Sequence, residues 1–445
     1  MKASFPLGLI IILMLAYACS FADRYLLNLL VEPIQTQYGF SDLQMSWLLG
    51  PAFGLFYALV GLPIGLAADK FHRGKLISIG VMLWSIMTML TGLAHSFVQF
   101  FICRMGVGIG EASLSPAAYS LLAERVSPQR LSSAIAIYSL GIYIGAALAY
   151  GLGGELLNYY QNAPNWEIGS LSIPPWQLLF VGFGLPGVFL SIIAYFAIRE
   201  LRTSNNKSLS FNGLSHKKQW QSLSKHFYLL CLSFSFFYIA IYAGGAWLPT
   251  FLMRVHELPT QTVGWLTSVG LLIFPSIGLL VGGGVADRMS KRNPLRGKVK
   301  FCLYVFLFFV PSAAAFGLIK DTSLSLWALL PYALLLSATV GVGAAIVQHI
   351  SQADKRAFAS ALFLFAQNCL GLSLGPTAVA FCTDYLFADP MALGYSLSIV
   401  GATSSLLATG CMYWLWRRIN ADQKVASYSP ATPGRRTSHG QESPK

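Results

Sequence analysis

Apolar runs of about twenty residues alternate with short polar stretches along the whole chain, each run long enough to cross a hydrocarbon layer of roughly 30 Å as a helix. The runs lack the strict two-residue alternation of porin strands, which excludes a β-barrel. Hydropathy and loop signals together predict helices near 6–31, 43–68, 75–94, 97–121, 130–157, 174–198, 226–252, 261–286, 298–319, 325–350, 357–385 and 391–417. The longest interior polar stretch, 199–225, is rich in Ser, Asn and Lys and reads as a linker that divides the helices six and six. The expected layout is a six-helix bundle over 1–198, the linker, a second bundle over 226–417, and a Pro-, Ser- and Arg-rich disordered tail over 418–445.

Composition agrees with the pattern. Hydrophobic residues make up 55% of the chain and charged residues 11%, too little charge to cover a soluble globule of this size. The net charge of +13 does not point to nucleic acid, because the basic residues gather in alternate loops and form no single face. One side collects Lys2, Lys70, Arg73, Lys75, Arg125, Arg130, six basic residues in 199–225, six more from Arg288 to Lys300, Lys355, Arg356 and those of the tail. Only Arg254 and Lys320 fall on the other. Cytoplasmic loops retain Lys and Arg during insertion, so both termini are expected in the cytoplasm and the helix count is even. The first span carries Asp23 and Arg24 and lacks a small-residue cleavage site, so it reads as a retained helix, not a signal peptide. The seven cysteines form no CxxC pair, and neither a metal site nor a disulfide framework nor any cofactor is indicated.

An internal repeat supports two related halves. Gly65-Leu-Ala-Ala-Asp69-Lys-Phe-His-Arg73 closes the second span, and Gly283-Gly-Val-Ala-Asp287-Arg288-Met-Ser-Lys291 closes the eighth, with Gly, Asp and basic positions in register. Repeated halves place a binding site at their interface near the bilayer midplane. The Gly-x-x-x-Asp-x-x-x-Arg pattern resembles the signature of the major facilitator superfamily. Asp23-Arg24-Tyr25, Gly61-Leu-Pro-Ile-Gly-Leu-Ala-Ala-Asp69 and Arg104-Met-Gly-Val-Gly-Ile-Gly-Glu111-Ala-Ser113 resemble its Spinster branch. The resemblance implies an all-α membrane protein, twelve transmembrane helices in two pseudo-symmetric six-helix bundles, acting as a secondary transporter by alternating access. It also implies that Gly65, Asp69 and Arg73, with Asp287 and Arg288, gate the two halves, and that the substrate is a lysophospholipid or sphingoid phosphate.

Four ionisable residues lie deep inside predicted spans: Asp23, Arg24, Arg104 and Glu111. Charge there is costly, so such residues usually face a cavity or one another. Arg104 and Glu111 stand two turns apart, about 10 Å along one helix face, and are expected to look into the same cavity with partners on the first span. Asp23 and Glu111 are the candidate proton carriers. Burial disfavours an ionised carboxyl and a nearby guanidinium favours it, so a site whose hydration changes can take and release a proton. Arg24 and Arg104 are candidates for holding these carboxylates or an anionic substrate, with Ser113 beside them. A purely structural role, fixing how the first and fourth spans pack, is the competing reading. Adjacent residues on a helix point about 100° apart, so one of Asp23 and Arg24 is expected to face the site and the other to pack.

In the second half, Tyr238, Tyr242, Gln367 and Asn368 are the polar or aromatic candidates, against packing as the plainer explanation. No charged residue stands mid-span there, which leaves an apolar wall suited to an amphipathic anion. The function expected is proton-coupled transport of such a substrate in a cell inner membrane by a monomer that is not an enzyme. A carrier of small organic or sugar acids is the alternative within the fold, and a non-transporting membrane sensor the alternative outside it. No ATP-binding or hydrolase motif occurs.

Overall fold

A computed structural model describes residues 6–70, 72–127, 130–160, 164–168, 171–198, 224–351 and 356–428. Most of the 199–225 linker lies outside them. Twelve helices are long and apolar enough to span a membrane. They are α1 (Leu7–Leu29), α2 (Asp42–Leu49 and Pro51–Lys70), α3 (Arg73–Thr91), α4 (Phe97–Glu111 and Leu114–Arg125), α5 (Leu131–Tyr160) and α6 (Gln177–Ala197) in the first half. The second half holds α7 (Lys225–Arg254), α8 (Thr260–Met289), α9 (Pro294–Leu318), α10 (Thr322–Ala338 and Val340–Ile350), α11 (Arg356–Phe381) and α12 (Leu393–Tyr428). Polar caps start many of them: Ser41 with Gln44 forms a capping box for α2, and Ser96, Ser224, Asn293 and Asp321 cap α4, α7, α9 and α10.

Three elements depart from the sequence expectation. A short helix, Val31–Tyr38, follows α1, and a two-stranded hairpin, Trp166–Ile168 with Leu171–Ile173, fills the α5–α6 loop. The last helix continues to Tyr428, so 418–428 are helical where a disordered tail was expected. That stretch has no Gly or Pro before Pro430 to stop the helix.

Within the first half α1 packs on α5 so closely that a Cβ on Gly145 would stand 2.2 Å from the Ala18 carbonyl oxygen. Large apolar side chains such as Leu280 and Phe196 are exposed on the perimeter, where lipid takes the place of water. We call the side holding the start of α1 and the α2–α3 and α8–α9 turns the basic face, and the other the far face.

The hydrogen bonds that join the two halves cluster between the midplane and the far face. Arg254 of α7 donates to Glu32 (2.6 Å), to Gln35 (2.8 Å) and to both oxygens of Asp42 (2.8 and 3.0 Å). Asp384, just past α11, accepts from the backbone N–H of Leu43 at 2.8 Å. Glu155 of α5 accepts from Gln261 (2.9 Å) and Trp265 (2.6 Å) of α8. Here too a glycine sets the approach, since a Cβ on Gly264 would stand 2.4 Å from the Tyr150 carbonyl. The far face is therefore sealed between the halves.

Candidate functional site

At the midplane a cavity of about 600 Å³ opens between the halves. Phe21, Arg24, Tyr25, Asn28, Phe53 and Arg104 line it from the first half. An apolar arm runs into the second half, between α7, α8 and α10, past Leu266, Leu271, Phe274, Leu326, Leu330 and Trp327. At its lipid side Trp327 is 69% exposed.

Ser20, Arg24 and Asn28 recur every fourth residue and so share one face of α1. Arg24 donates through Nε to Glu111 Oε2 at 2.8 Å, and its Nη2 pairs with the same oxygen. Ser20 adds a third donor to Oε2 at 2.7 Å. Glu111 Oε1, also buried, has no hydrogen-bond partner. Asn28 crosses to the second half, donating to the Gly245 carbonyl at 3.2 Å. The face of the Arg24 guanidinium lies over the rings of Phe21 (4.6 Å), Phe53 (4.4 Å) and Tyr57 (5.3 Å), which attract it and keep it from water.

Asp23 turns the other way. Its side chain, 2% exposed, accepts from Thr88 of α3 at 2.9 Å through Oδ2, while Oδ1 has no partner. Of the adjacent pair, Arg24 faces the cavity and Asp23 packs inside the first half.

Arg104 is 3% exposed and forms no ion pair among the described residues. Its Nε donates to the Leu48 carbonyl of α2 at 3.3 Å, and the Phe53 ring that meets Arg24 also lies 5.3 Å from the Arg104 guanidinium. A buried guanidinium with only a carbonyl partner among the described residues leaves most of its N–H donors without a charged acceptor.

Other expected residues fall differently. Glu111 does not line the cavity alongside Arg104, as the shared-face expectation had it, but stands behind Arg24, whose paired guanidinium lies on the cavity side. Ser113 lies two residues past Glu111, about 200° around the helix, and points at α3: a Cβ on Gly80 would meet its Oγ at 1.9 Å. Tyr242 lines the cavity and donates to Asn368 Oδ1 at 2.8 Å. Tyr238, Gln367 and Asn368 are not in the lining; Gln367 is buried in α11, and the Tyr238 ring lies 6.0 Å from that of Tyr242. Arg73 pairs with Glu124 of α4, and Asp287 lies 3.9 Å from Lys298 of α9, each within its own half; Arg288 is exposed. Gly65 and Asp69 lie in α2, with their side chains outside the described residues.

Sequence reasoning missed Ser20, Asn28, Thr88 and Phe53. The four-residue spacing around Arg24 could have flagged the first two; nothing in the sequence marks Thr88 or Phe53 as partners.

A family model described as Major Facilitator Superfamily matches residues 13–376. The chain belongs to that superfamily. Its sequence is 30% identical over 408 residues to an MFS-type efflux pump of Mycolicibacterium smegmatis, covering 91% of each chain. It is 23% identical over 432 residues to a probable L-galactonate transporter of Escherichia coli, covering 93% of this chain and 90% of that one. The fold superposes with a TM-score of 0.78 on a bacterial homolog of the human lysosomal transporter Spinster, solved in an inward-facing, unoccupied conformation. The two are 25% identical, and 96% of this chain and 100% of that one are covered. Within the superfamily the protein is a transporter of the Spinster-like type.

Proposed function

We propose that this transporter moves an amphipathic anion, such as a lysophospholipid or sphingoid phosphate, by proton-coupled alternating access. The observation that carries the reading is the environment of Arg104, a buried guanidinium with no carboxylate partner among the described residues, in a cavity that continues into an apolar arm. An anionic head on Arg104 places a hydrocarbon tail between α7, α8 and α10. A phosphate or carboxylate there accepts two parallel N–H bonds, a stronger contact than one carbonyl gives.

The proton acts one layer deeper. Glu111 as a carboxylate takes three donors on one oxygen, two from Arg24 and one from Ser20. A proton on the unpartnered Oε1 cancels the charge that holds Arg24 and frees the guanidinium to swing into the cavity. Proton uptake and substrate contact then share one switch. The far-face seal supports placing this state with the cavity turned to the basic face, which the charge bias assigns to the cytoplasm. The likeness to a probable L-galactonate transporter favours a second reading, a carrier of small organic acids. That reading leaves the apolar arm without an occupant.

Proteoliposomes with a trapped pH dye separate the two. With the normal protein, lysophosphatidic acid is expected to move protons and galactonate to leave the dye unchanged. Glu111→Gln, which keeps the volume and a hydrogen-bond acceptor for Arg24, abolishes the proton signal while substrate still binds. Proton movement with galactonate alone overturns the amphipath reading, and full coupling in Glu111→Gln overturns the switch.

A further inference from the structure

The first segment of α2, Asp42–Leu49, is held at both ends by different parts of the molecule. At its start, Asp42, whose side chain is 4% exposed, is gripped by Arg254 of the other half, and the Leu43 N–H is taken by Asp384. A carboxylate at a helix N-terminus is a favourable electrostatic contact, and this one is made across the interface between the halves. At its end, the Leu48 carbonyl accepts from Arg104. Immediately beyond, the helix breaks at Gly50 and resumes at Pro51, which has no N–H to give the Trp47 carbonyl. A Cβ on Gly50 would stand 2.5 Å from the Leu372 carbonyl of α11, so at the break α2 closely approaches the other half.

We propose that Asp42–Leu49 is a lever through which an anion on Arg104 releases the far-face seal. The inference rests on the reading that Arg104 takes the anionic head. A phosphate draws the guanidinium off the Leu48 carbonyl, the segment turns about Gly50, and its other end withdraws Asp42 from Arg254 and the Leu43 N–H from Asp384. Substrate arrival at the midplane and opening at the far face become one movement of eight residues. Binding linkage is reciprocal, so loosening the seal must tighten anion binding by the same factor that the anion loosens the seal.

The test is a distance across the far face in the full chain held in nanodiscs. Spin labels go on Thr36 and Lys320, one exposed residue on each half, after the seven native cysteines are replaced by alanine. Dodecyl phosphate, with binding followed separately by calorimetry, is expected to add a longer-distance component. Arg104→Gln shows that component without the probe, and Asp384→Ala binds dodecyl phosphate several-fold more tightly. If dodecyl phosphate binds and the distances stay fixed, the lever is wrong and the anion site stands. If it does not bind, the anion reading fails; the lever then survives only if Arg104→Gln still lengthens the distance, and an unchanged distribution in that variant overturns it.

Discussion

The two walls of the central cavity are built on opposite principles. The first half presents two guanidiniums, with a carboxylate behind Arg24 and another behind α1; the second presents leucines, Phe274 and Trp327, with Tyr242 as its phenol nearest the charges. Charge in a membrane is costly wherever it stands, so concentrating it in one half lets a few aromatic rings, Phe53 above all, shield every cation at once. The second half is left free to select by shape and apolar area. On the proposed reading, coupling and the grip on the anionic head rest on the charged half and selection of the tail on the apolar one, so the apolar wall can be altered without touching the proton switch.

After the Glu111 switch itself, the largest effect should come from Asp23, the acid that packs away from the cavity. Asp23→Asn keeps the size of the side chain and the Thr88 hydrogen bond, so the helices should pack as before. If Asp23 carries a proton in the cycle, substrate-driven proton flux in proteoliposomes falls by roughly tenfold or more while the substrate Kd changes by less than about twofold. A Kd that collapses along with flux breaks the division, because it makes Asp23 part of the binding wall.

A smaller, graded effect is expected from the apolar wall. Each methylene added to an alkyl phosphate buries about 0.8 kcal/mol of apolar surface, so affinity should rise about fourfold per carbon until the arm is full. Leu330→Asn, placing an amide in that arm, should cost roughly tenfold for a twelve-carbon tail and nothing for a two-carbon one. Equal losses for both tails, measured by calorimetry, would move selectivity back to the charged half.

Much of this division is legible in the sequence, for a definite reason. An ionisable residue within an apolar run announces itself, so Asp23, Arg24, Arg104 and Glu111 stand out without a structure. The loop charges order the helices in the same way. Arg254 was visible too, as one of two basic residues on the wrong side of the charge bias, and it proves to be the centre of the far-face seal. What the sequence withholds is pairing. The partner of Asp23 is a threonine on α3, and the ring that meets both arginines is one of thirty phenylalanines, neither marked by spacing. The pairing of Arg24 with Glu111 is equally hidden, and it decides that Glu111 stands behind Arg24 and out of the cavity lining.

The smallest effect tests whether titration in the second half stays out of coupling. His256, in the α7–α8 loop, is 9% exposed, with Nδ1 3.1 Å from Thr322 Oγ1 and no partner for Nε2. Burial holds its pKa below the ordinary imidazole value of about 6.5, with Asp321 opposing the shift. The opened loop therefore takes up a proton more readily than the closed one. Closure is strongest above about pH 6.5 and weakens as pH falls through that value, until the closed form is protonated as well. Hydrogen exchange across 255–259, corrected for the intrinsic rate, should quicken a few-fold between about pH 7.5 and 5.5, and His256→Asn should flatten that dependence. The pH profile of substrate-driven proton flux should be the same in both proteins, since His256 lies outside the cavity. A profile that moves with His256→Asn would put a titrating group of the second half into the transport cycle, and the separation of coupling from selectivity would no longer hold.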